Sequence, residues 1–119
     1  MSKQQARGLL RQGDVLLVPV ETLPTGSVRL QRPTGRVVLA EGEATGHAHV
    51  VRGRHARLFA AGPWTAASRR TRYLVVEGKP ATLVHEEHDP ISVAPGSYRV
   101  LRQREYEPLV HRAWRAVAD

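Results

Sequence analysis

Turn residues interrupt this chain about every ten positions, and that spacing limits the fold more than any other feature of the sequence. Gly13-Asp14, Pro24-Thr25-Gly26, Pro33-Thr34-Gly35, Gly42, Gly53, Gly62-Pro63, Gly78-Lys79-Pro80, Asp89-Pro90 and Pro95-Gly96 each favour a bend. Globular helices typically need ~10–14 residues, and few intervals are that long. Strands of about 4–8 residues fit between the turns.

The residues between the turns agree. Val15-Leu16-Leu17-Val18 is an apolar run of buried-strand type, and Pro19 just after it lacks a ladder donor, so it marks an edge or the end of regular pairing. Further strands are predicted over 27–31, 36–41, 45–51, 56–60, 72–77, 81–87, 91–93 and 98–103. Arg52-Gly53-Arg54-His55 reads as a hairpin tip, and Asp89-Pro90 as a turn after the 81–87 strand. The expectation is a single all-β domain over residues 1–119: an antiparallel barrel, or a jelly-roll or cupin-like sandwich, of eight or nine short strands. Residues 1–7 are expected to fray, and 107–119 to form a short helix or a packed tail.

The 119 residues contain no cysteine, which excludes disulfides, thiolate ligands and cysteine nucleophiles. No run approaches the ~20 apolar residues of a membrane span, and the first residues lack the apolar core of a signal peptide. A cytoplasmic protein without membrane association is expected.

Four of the six histidines fall in two short segments. Thr45-Gly46-His47-Ala48-His49 places His47 and His49 two apart, on one face of a strand. His85-Glu86-Glu87-His88 follows later. Neutral imidazole is a standard ligand of first-row metals, and a carboxylate often completes the set. The set predicted for a divalent transition metal (Zn, Ni, Fe or Mn) is His47, His49 and His85, with Glu43 or Glu87 as an oxygen ligand. His88 would face away on an unbroken strand, and joins if the turn after it swings it back. Glu86 or Glu87 could serve as a general base beside a metal-bound water. Nothing in the sequence selects a reaction.

A His-x-His pair followed by a later histidine in a small β chain resembles the cupin arrangement over roughly residues 37–100. That resemblance implies a double-stranded β-helix holding one metal by three histidines and a glutamate. Arg52, Gly53 and Arg54 stand where that glutamate would follow. The chain is also similar to small bacterial and phage proteins of unknown function, through Gln12-Gly13-Asp14-Val15, the Gly42 to His49 stretch, His85 to His88, and the Gln103 to Pro108 stretch. That likeness implies no activity.

The formal charge is +7, with sixteen of eighteen basic residues Arg. This supports an alternative of another class: a non-catalytic module binding nucleic acid or a protein through Arg52, Arg54 and Arg57 and through Arg69, Arg70 and Arg72, with Trp64 or Tyr73 as stacking surface. An Arg-rich composition with scattered charge produces the same balance without any such partner. A small-molecule ligand, a protein partner and a homodimer are all compatible with the sequence.

Overall fold

The computed structural model describes residues 8–30, 36–41, 47–61 and 71–103. They contain ten strands: β1 (Leu10–Gln12), β2 (Val15–Val20), β3 (Val28–Arg29), β4 (Val37–Glu41), β5 (Ala48–Arg52), β6 (Ala56–Ala60), β7 (Arg72–Val76), β8 (Ala81–His85), β9 (His88–Val93) and β10 (Gly96–Arg102). One sheet has the order β1-β2-β10-β7-β6-β3 and the other β4-β5-β8-β9. Every pairing is antiparallel. Among the described residues the sheets stay separate, so the fold is an all-β sandwich and not a closed barrel.

The alternation of side chains explains the sandwich. In β6, Ala56, Leu58 and Ala60 are buried while Arg57 and Phe59 between them are partly exposed. One sheet contributes Val15, Leu17, Leu74, Val76, Tyr98 and Val100 to the core, and the other Val37, Leu39, Val51, Leu83 and Val93. Burying each such side chain is worth about 1.5–3 kcal/mol. Tyr98 satisfies its hydroxyl by donating to Ala94 O at 2.6 Å. A guanidinium nitrogen of Arg72, in β7, donates to Leu39 O of β4 at 2.6 Å and ties the two sheets together.

Two features depart from the expected strand map. The first is β1, a three-residue strand paired with β2 through Gln12↔Val15. Gly13 has φ 59° and occupies the first central position of the two-residue turn, where a II′ hairpin requires glycine. The second is the His85 to His88 segment. The chain turns at Glu86-Glu87, ahead of Asp89-Pro90, and His85 pairs with His88 across β8 and β9. Pro90 is then accommodated because β9 is an edge strand. Residues 1–7 and 107–119 lie outside the described residues. Among the described residues no helix is long and apolar enough to cross a membrane.

Candidate metal centre

Four histidine rings gather at one end of the four-stranded sheet. His49 lies in β5 and His47 just before it, so strand periodicity keeps the two close. β5 pairs with β8 through Val50↔Val84 and Val51↔Leu83, and continuing that register sets His49 opposite His85. Their ring centres are 4.2 Å apart. The cross-strand pairing with His85 puts His88 on the same face, with ring centres 4.7 Å apart. His47 meets His85 edge-on at 5.6 Å. His85 is thus the hub, with the other three rings around it.

His49 is 5% exposed, and its ring is fixed by Gln12. The Gln12 amide donates from Nε2 to Leu83 O and to Asp89 O, both at 3.0 Å. With its nitrogen so engaged, its Oε1 must accept, and it lies 2.9 Å from His49 Nδ1. His49 therefore carries its proton on Nδ1 and a lone pair on Nε2. Burial first, then the positive field of His85, lowers its pKa from 6.5 to about 4, although Asp14 opposes the shift. His49 Nε2 lies 3.7 Å from Asp14 Oδ1. At neutral pH that contact is not an ion pair, because the ring is uncharged.

The carboxylates take separate roles. Glu86 Oε1 accepts from the Ala48 N–H at 3.1 Å. Its own backbone N–H, that of Ala48, and the nearby His47 and His85 hold its pKa below the ordinary carboxylate value. His47, His85 and Glu86 offer ligand atoms all within 4.8 Å of one another. Glu87, expected as an oxygen ligand in alternation with Glu43, faces His47 Nδ1 with Oε2 at 3.4 Å. Its backbone N–H donates to His85 Nδ1 at 3.0 Å. Glu43 lies outside the described residues.

Gly13 is part of the site through what it lacks. A Cβ there would come within 2.7 Å of His88 Nε2 and 3.2 Å of His49 Cε1. Gln12, Gly13 and Asp14 were not expected at the site, where Asp14 read only as turn chemistry. The signal available was the Gln-Gly-Asp-Val stretch, a shared feature with no assigned task.

The arginine alternative is only partly assembled. Arg57 forms an ion pair with Glu77, Arg72 is engaged with Leu39 O, and Tyr73 is 9% exposed, which withdraws it as a stacking surface. Arg52 and Arg54 remain exposed. Arg69, Arg70 and Trp64 lie outside the described residues.

A family model described as a domain of unknown function (DUF8820) matches residues 11–103. That span contains Gln12, both histidine segments and all strands from β2 to β10. No curated protein and no solved structure matches the chain.

Proposed function

Because the chain belongs to the DUF8820 family, whose description assigns no activity, we propose a function from its own side chains: it binds a divalent transition metal at the histidine cluster. The observation that carries this reading is the convergence of His47, His85 and Glu86 within 4.8 Å. His49, with a lone pair on Nε2 and its ring centre 4.2 Å from that of His85, is a further nitrogen donor beside this set, and the His88 ring stands 4.7 Å from His85. Nitrogen and oxygen donors without thiolate suit Zn, Ni, Fe or Mn.

The surrounding groups favour loading. Metal-bound imidazoles usually donate their other N–H to a carboxylate, carbonyl or similar acceptor. Glu87 faces Nδ1 of His47, and Gln12 accepts from Nδ1 of His49. His85 is the exception, since its Nδ1 accepts from the Glu87 N–H. A metal on its Nε2 would require a proton on Nδ1 and the loss of that bond. The cost is about 1 kcal/mol, small beside the ~10–16 kcal/mol of structural zinc sites.

The reading is one of binding, with no reaction assigned. It does not depend on a cupin likeness, and the missing cysteines fit a cytoplasmic setting. Elemental analysis of protein purified without a histidine tag tests it, alongside a zinc titration. Stoichiometric metal and a melting point raised by roughly 10 °C are expected at a hundredfold excess over Kd, where linkage gives about 2.7 kcal/mol. Both effects should vanish in the His47→Gln/His85→Gln variant. Absence of metal with an unchanged melting point overturns the reading.

A further inference from the structure

A cleft of about 240 Å³ opens beside this centre, on the outer face of the four-stranded sheet. Its floor is apolar, formed by Ala48 and Val50 of β5 and Val84 of β8. At one end lie His85 and Glu86, two of the metal donors, and Arg36 and Arg52 also line it. Val37 pairs with Val51, so one further step sets Arg36 opposite Arg52. Like charges directly opposite on neighbouring strands are destabilising. Among the described residues neither guanidinium has an ion-pair partner. Two unneutralised guanidinium groups over an apolar floor make a receptor for a carboxylate on a short hydrocarbon body, since Arg pairs with carboxylates through two parallel hydrogen bonds. At the ~30 Å³ each water takes in the liquid, the cleft holds a body of about eight such volumes.

We propose that this cleft binds a small organic carboxylate, its anionic end held by Arg36 and Arg52, its hydrocarbon on Val50 and Val84, and its far end beside the metal. The far end rests on the metal reading; the arginine end does not.

The test follows backbone amide NMR spectra during titration with butanoate, hexanoate and octanoate, and with the matching alcohols, in zinc-loaded and in metal-free protein. Shifts centred on Ala48, Val50 and Val84 are expected with the carboxylates and not the alcohols. Affinity should fall about tenfold in Arg36→Gln and in Arg52→Gln, and remain unchanged in Arg54→Gln, with the spectra confirming that each variant is folded. Carboxylate binding that depends on these arginines without any zinc uptake would support the cleft and remove the metal. Zinc uptake without carboxylate shifts would overturn the cleft and leave the metal reading standing. Equal response to the alcohols, or indifference to both arginine substitutions, overturns the cleft proposal. So does a steeply salt-dependent response to a single-stranded oligonucleotide in place of the carboxylates, which would make this a nucleic-acid surface.

Discussion

At the residue scale, His49 is held in its neutral form, and this has a consequence for stability. Its pKa is about 4 in the folded chain against an ordinary 6.5, so as the pH falls the unfolded chain takes up the proton first. The stabilisation is complete above about pH 6.5, declines as the pH drops toward 4, and changes no further below that. At ~1.4 kcal/mol per pH unit the loss is on the order of 3 kcal/mol. Urea denaturation of metal-free protein at pH 7 and pH 4.5 should show it, and His49→Gln should flatten the difference. Gln12 bears a comparable load: Gln12→Ala strands the Leu83 and Asp89 carbonyls and the His49 Nδ1–H together. A loss of about 2–4 kcal/mol is expected, with metal affinity reduced ~10–100-fold. Isothermal titration of zinc into the variant measures the second effect. Gly13→Ala should also destabilise, because φ 59° disfavours an L side chain and the new methyl group meets His88.

At the scale of elements, strands were legible wherever alternation and turn residues coincided, as in Ala56 to Ala60 and Tyr98 to Arg102. β1 was not, because Leu10-Arg11-Gln12 is too short to show a period, and pairing with β2 makes it a strand. The His47 and His49 pair was legible from strand periodicity alone. His88 depended on which residues turned the chain: Asp89-Pro90 carried the stronger local signal, yet pairing of His88 with His85 prevailed. Gln12 was illegible as a site residue because its partners lie 37 to 77 positions away. The β8–β9 hairpin depends on Leu83, which is fully buried and whose carbonyl Gln12 engages. Leu83→Ala should cost about 2–5 kcal/mol, readable as a lower urea midpoint. It should also weaken zinc binding, because His85 follows two residues on.

At the scale of the whole molecule, the sandwich brings a hairpin from one sheet against the histidine end of the other. Gln12, Gly13 and Asp14 arrive from the six-stranded sheet, and the donors proposed for the metal come from β5, β8 and the residues flanking them. Position in the fold, more than any local motif, brings the cluster together. The most direct test of the metal claim observes the ring nitrogens themselves, by long-range proton–nitrogen NMR during addition of zinc. His55 is an internal control, since its Nε2 lies 2.9 Å from Pro80 O outside the cluster. With one equivalent of zinc, the His47 and His85 ring nitrogens should shift together, His85 should move its proton from Nε2 to Nδ1, and His55 should stay unchanged. Unmoved His47 and His85 rings, or a His55 response equal to theirs, would contradict the metal centre.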